Sequence, residues 1–563
     1  MRRHSSSPAW FQRRRQCAFL LAACQPLGVP PAHAGGFVTA KAPIIPSRPA
    51  ASFTTPPASV FNNAAFTDLL LVGPVNNDLI RTPSTLDPIS TVSGNNYHDE
   101  TDLMIRGRNG LNTVFTRTYN SQPSASAKLG DLGYGWVHSY GMRLVSNDFG
   151  NCPNCTSAQA PENGNGLTSS ISYTDERGGD HNYLVTEDAA HSVTAPQGEF
   201  DSLAFNTPAS GQHTLTFRNG AQYVFESEAG VDLRVTPAKT ARLTAIKNAW
   251  GDVLNLVYDT SAWPGRLTGV ADNLGITGRS GLTFTYHADG RLKDVADWSG
   301  RSWSFTYNAN NELTSRSNPL AETRAYTYHP KHLLHEVIQP LARDGQAVKT
   351  VFTYYENARG YTQTDGLGQG DTLDYDLFRK STRVTDSLGR SRDYHYDENG
   401  RMTRLTEPDG GILLFDNQGD AIRSKKYDAL GYATTYSYRA DKAFTGVSDS
   451  FGNVTRERDA LGNNIDTTYG ALDQIASVTD KRGTVSTTAY ATATTATAST
   501  CGDYTQRPRE TRISTLNGSA DVLLASQCWN PDATLSTSRQ YLDASRYRET
   551  QFTYEAGTSG LNV

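Results

Sequence analysis

The chain has 563 residues, 37% of them hydrophobic and 19% charged, with a formal net charge of −5. That length holds several domains or one long array, and no run of about 18 apolar residues marks a membrane-spanning helix. Aromatic residues at 10% and near-balanced charge exclude ordinary disorder, while 48 Gly and 28 Tyr point to a polar, β-rich chain.

The first sixteen residues carry Arg2, Arg3, Arg13, Arg14 and Arg15 and no acid. A short apolar core, Cys17 to Cys24, follows, and Ala32-His33-Ala34 offers a small-residue exit. This order predicts a signal peptide over residues 1–34, cleaved after Ala34. Leu21-Ala-Ala-Cys24 also resembles a lipoprotein box, so lipidation at Cys24 stands as the alternative. Cleavage removes five basic residues and no acid, which takes the net charge to about −10. An acidic exported chain is a poor partner for nucleic acid. The expected location is secreted, periplasmic or at the cell surface. In an oxidising compartment the four remaining cysteines suggest disulfides, and nearness in sequence favours Cys152–Cys155 and Cys501–Cys528.

Residues 35–90, rich in Pro, Ala, Ser and Thr, read as a linker. Residues 91–240 read as a small β-rich domain. Within it, Leu111 to Ser121 alternates apolar and polar residues, as a half-buried strand does. Leu129 to Tyr140 interleaves Gly with aromatics, which suits tight turns beside buried rings.

From residue 241 to 563 the chain repeats itself. An acidic or amide residue, two variable residues and usually Gly recur at Asp297–Gly300, Asp365–Gly368, Asp386–Gly389, Asp428–Gly431 and Asp449–Gly452. The spacing is 21 residues or a multiple through Asp365, Asp386, Asp428 and Asp449. Tyr286, Tyr307 and Tyr328 keep the same period, as do Tyr375 and Tyr396. Two strands of about six residues and two turns of about four or five fill such a unit. Asp-Gly in Tyr286 to Leu292 and Asn-Gly in Tyr396 to Met402 supply hairpin turns, because both dipeptides tolerate positive φ. One repeat is therefore one β-hairpin. A lone hairpin cannot bury its face, so the units must join edge to edge.

Together, the period, the turn dipeptides and the recurring Gly-Arg-Leu closely resemble the Rhs/YD-repeat family over residues 241 to about 553. Asp99-Glu-Thr-Asp-Leu103, Phe115-Thr-Arg-Thr-Tyr-Asn-Ser121 and Leu129-Gly-Asp-Leu-Gly-Tyr-Gly-Trp136 resemble the domain of unknown function that often precedes such repeats. The resemblance implies an all-β fold: an array of hairpins forming a long curled sheet or part of a hollow β-shell, preceded by a small β-rich domain. It further implies a non-catalytic scaffold whose partner is a C-terminal toxin segment or a separate capping protein, as in intercellular competition. The family's Asp-Pro-x-Gly closing segment has no counterpart, so the array is expected to be incomplete or open, with an exposed strand edge.

No phosphate-binding loop, dinucleotide fingerprint, Gly-x-Ser-x-Gly elbow or His-Glu-x-x-His motif occurs. His329, His332 and His335 sit three apart, yet in the repeat register they fall in a decayed hairpin turn. The recurring acids read as turn residues, because an acid present in every unit is structural by default. No catalytic, metal or cofactor-binding residue is therefore assigned. The recurring tyrosines read as cross-strand packing. An adhesin that stacks glycans on these rings is the alternative function, and a hydrolase hidden in a degenerate unit is a remote one.

Overall fold

The computed structural model describes residues 89–554 except 123–128, 149–167, 187–189, 197–200, 206–210, 261–264, 275–280, 344–345, 399, 419–421, 439–452, 498 and 515–520. The expected signal peptide and most of the expected linker, with Cys24, Cys152, Cys155, Asp449 and Gly452, lie outside the described residues.

The fold is all-β. Among the described residues, thirty-three strands form one antiparallel sheet. From Ser202–Phe205 to Tyr547–Gln551 each strand pairs with the next in sequence, so the sheet is a continuous meander of hairpins. It branches at Thr240–Lys247. The second half of that strand pairs with Val253–Tyr258, and its first half pairs with Arg143–Asp148. The branch continues through Thr168–Thr174, Asp180–Val185 and Val193–Thr194. The sheet thus runs without a break across residue 240. A separate three-stranded sheet holds Tyr97–Ile105, Thr113–Asn120 and Trp136–His138.

Alternation sets the two faces of the hairpins. In Ser302–Tyr307, Trp303 and Phe305 are buried and Thr306 is exposed. Leu282 and Phe284 are buried likewise, between exposed Thr283 and Thr285. A side-chain period of two places the large residues on one inward face and the small hydroxyls outside.

Turns far apart in sequence meet. Arg218 lies 3.2 Å from Asp473. The Arg507 guanidinium stacks 3.7 Å from the centre of the Trp250 ring. The sheet has therefore curled until its late hairpins rest on the turn edge of its early ones. Right-handed strand twist, accumulated over many strands, supplies this curl.

Candidate functional site

The repeat residues build the wall. In the turn Asp297–Gly300, one Asp297 carboxylate oxygen accepts the backbone N–H groups of Ser299 and Arg301, at 2.9 and 3.1 Å. The other accepts the Arg301 Nε–H at 2.7 Å. Gly300 has φ +85°, a value that L side chains rarely adopt. Asp365, Asp386 and Asp428 hold their turns through the same pair of backbone bonds, with Gly368, Gly389 and Gly431 also at positive φ. The next described turn of this kind is Asp459–Gly462, reached only after the strand Val454–Arg458.

The tyrosines form a ladder. The Tyr286 hydroxyl donates to the Leu267 carbonyl, Tyr307 to Leu292, Tyr328 to Leu313 and Tyr375 to Gly360, at 2.6 to 2.9 Å. Tyr354, Tyr438, Tyr469 and Tyr490 repeat the bond. Each ring reaches back to the preceding hairpin, so every unit is pinned to its neighbour beyond the sheet ladder. Burial pushes the phenols of Tyr286, Tyr307, Tyr328, Tyr354 and Tyr375 up, and those of Tyr438 and Tyr490 to about 12. Tyr396 departs: its hydroxyl bonds Thr91 Oγ1 at 2.6 Å.

The small N-terminal sheet lies inside the early hairpins. Phe115 meets Phe284 and Phe305 with ring centres 5.8 and 6.1 Å apart, and Trp136 meets Tyr326 at 5.2 Å. The Trp136 indole N–H donates to the Tyr328 hydroxyl at 2.9 Å. Tyr119 donates to the His332 carbonyl and accepts the Leu334 N–H.

At the centre of this contact is a buried ion network. Arg117, with no solvent exposure, donates to Asp102 at 2.5 Å and to Glu100 at 2.6 Å. From the wall, Arg316 reaches Asp102 at 2.6 Å and Arg324 reaches Glu100 at 3.0 Å. Burial alone would raise the Glu100 carboxyl, but Arg117, His98 and Arg324 beside it hold it well below the usual carboxylate range. These charges are tolerated in the core because each has a partner. The repeat pattern gave no sign of Arg316 and Arg324, which replace apolar inward residues. Glu100 and Asp102 lie in Asp99-Glu-Thr-Asp-Leu103, a motif that by itself assigns them no role.

Among the described residues, the late hairpins have no such filling. From Ile422 onward, the large apolar side chains that are fully buried among the described residues reduce to Trp529. Cys501 and Cys528 are joined by a disulfide with Cα atoms 5.5 Å apart. The final strand, Tyr547–Gln551, is exposed at every residue.

The three spaced histidines do not converge. The His329 and His335 rings lie 4.0 Å apart, while His332 faces Glu312 and stacks on Tyr134. Among the described residues no group of three or more His, Cys, Asp or Glu could hold a metal ion, and no helix is long and apolar enough to cross a membrane.

A model of a domain of unknown function, DUF6531, matches residues 86–160, and the RHS repeat model matches residues 286–323 and 382–412. The chain carries an RHS-repeat array behind a DUF6531 domain. No curated protein matches it. Among solved structures, it is similar to a complex titled TcdB2-TccC3-Cdc42, with 10% identity over 79% of this chain and 23% of that one, at a TM-score of 0.32. A Photorhabdus luminescens Tc holotoxin pore gives 10% identity over 85% and 30%, with a TM-score of 0.32. TcdB2-TccC3 gives 12% identity over 90% and 26%, with a TM-score of 0.31. This chain spans less than a third of each.

Proposed function

We propose that this protein is an exported, non-catalytic β-shell scaffold whose late hairpins enclose or present a partner polypeptide, a toxin segment in intercellular competition being the favoured class. The observation that carries this reading is the unequal filling of one continuous wall. The N-terminal domain packs the inward face of the early hairpins, and among the described residues none packs the inward face of the late ones in the same way. The RHS and DUF6531 matches support the same reading. The ladder bonds take up the tyrosine hydroxyls within the wall, which weighs against glycan stacking as their purpose.

A photo-crosslinking residue at Thr467, on the inward face, tests the proposal in producing cells. The expected result is a crosslink to a polypeptide that resists added protease until the shell is denatured. The same probe at exposed Thr468, on the outward face, should give none. Crosslinks from Thr468 alone, or binding on a glycan array that Tyr436→Ala abolishes, would overturn it in favour of an adhesin.

A further inference from the structure

Where the late hairpins come round to the early ones, turns of the two regions meet along a seam. Its centre is Arg507, which is buried. The guanidinium lies between two indole rings, 3.7 Å from the centre of Trp250 on the early side and 4.8 Å from that of Trp529 on the late side. A turn of the N-terminal domain enters the same place. The Asn109 side-chain carbonyl accepts an Arg507 N–H at 2.6 Å, and its amide donates to the Asp252 carboxylate and the Asp532 carbonyl, each at 2.8 Å. Arg108 adds a bond to Asp252 at 2.5 Å. Three distant parts of the chain thus close on one arginine.

Arg507 ends the connection between the strands Val485–Tyr490 and Pro508–Ser514, which is longer than the turns of the repeat. That connection is fastened to the strand Val522–Trp529 at one place. Cys501 is bonded to Cys528 there, and Gly502 and Trp529 exchange backbone N–H bonds at 2.9 and 2.7 Å. The bonded Cys528 immediately precedes Trp529, whose ring bears on Arg507. Cys501 is exposed, so the bond is within reach of a reductant. From this juxtaposition we infer that the seam is where the curled sheet opens and that the Cys501–Cys528 disulfide is its redox lock. A dithiol reductant releases it. One thiolate attacks a disulfide sulfur and the S–S bond breaks, leaving a mixed disulfide. The second thiolate of the reductant resolves that intermediate. Two electrons and two protons pass to Cys501 and Cys528, and the reductant departs as its own disulfide. The bond spans 27 residues, and without it the connection regains conformational freedom. Arg507 is then no longer held between the rings. The seam stays shut in an oxidising compartment and loosens in a reducing one. The inference is independent of what the sheet encloses.

Hydroxyl-radical footprinting of the full oxidised chain, read by mass spectrometry at single side chains, tests it. Dithiothreitol is the reductant, and iodoacetamide labelling of Cys501 and Cys528 reports the broken bond. Trp250 lies across the seam from the disulfide, so it reports the seam rather than the connection alone. The expected result is a rise in Trp250 modification of about fivefold or more on reduction, with Phe305, buried against Phe115, unchanged. The variant C501S/C528S should show the higher Trp250 reactivity with and without dithiothreitol, which separates this bond from Cys152 and Cys155. Arg507→Ala should expose Trp250 with the disulfide intact. Trp250 protection that survives reduction or the Arg507 variant would overturn the inference, as would a disulfide that dithiothreitol leaves intact in the folded chain. Phe305 reacting in step with Trp250 would overturn it too, because the bond would then hold the whole wall and not the seam.

Discussion

Early and late hairpins share one turn chemistry and one tyrosine ladder, and they differ at one inward position. Two residues before the ladder tyrosine, the early units carry Phe284, Phe305, Tyr326, Phe352 and Leu373, all buried. The late units carry Tyr436, Thr467 and Thr488, all half-buried. The wall is thus specified by its turns and its hydroxyl bonds, independently of what lies against it. The inward residue records whether the chain supplies its own filling.

The comparison can be broken most forcefully at Arg117. Arg117→Ala leaves Glu100 and Asp102 buried with less compensation, and should cost about 3–5 kcal/mol. Guanidinium unfolding and protease release of the N-terminal domain would read this. Acid should act on the same network. The Glu100 pKa is depressed in the folded state, so its contribution is present above the ordinary glutamate range and is lost as pH falls below it. A native domain contact that tightens on acidification would contradict this sign.

A paired truncation sharpens the contrast between the faces. Phe305→Ala should cost about 3–5 kcal/mol, because it opens a cavity against Phe115. Thr467→Ala should change stability by no more than about 0.5 kcal/mol. Equal losses at the two sites would show that the late face is covered as well. Next in size is the staple of the late region. Cys501→Ser should cost about 2–4 kcal/mol, read as earlier unfolding of residues 485–541 in hydrogen exchange with the early hairpins unaffected. The smallest effect belongs to the ladder. Tyr307→Phe should cost about 1 kcal/mol, and Tyr490→Phe less, since its bond is exposed to water. A larger loss at Tyr490 would mean that the late wall depends on the ladder more than the filled one does.

Much of the wall was legible in the sequence because its causes are local. A hairpin needs a turn residue that accepts positive φ, a carboxylate or amide that holds the turn, and alternating strands, all within 21 residues. Asp297, Gly300 and Tyr307 therefore showed their places by recurrence.

The filling was not legible, because its causes are not local. Arg117, Arg316 and Arg324 stand far apart in sequence, and an arginine at an inward strand position looks like a lapse in the pattern until Asp102 and Glu100 are placed opposite it. The same holds for Trp250 and Arg507, which meet only because the twist of many strands carries the sheet round to its own edge. The sequence by itself determined the repeating hairpin, its period, its turns and its aromatic face, since each depends on neighbouring residues. Only the tertiary structure decided which hairpins are filled and which turn edge is covered, because those outcomes depend on curvature summed over the whole sheet.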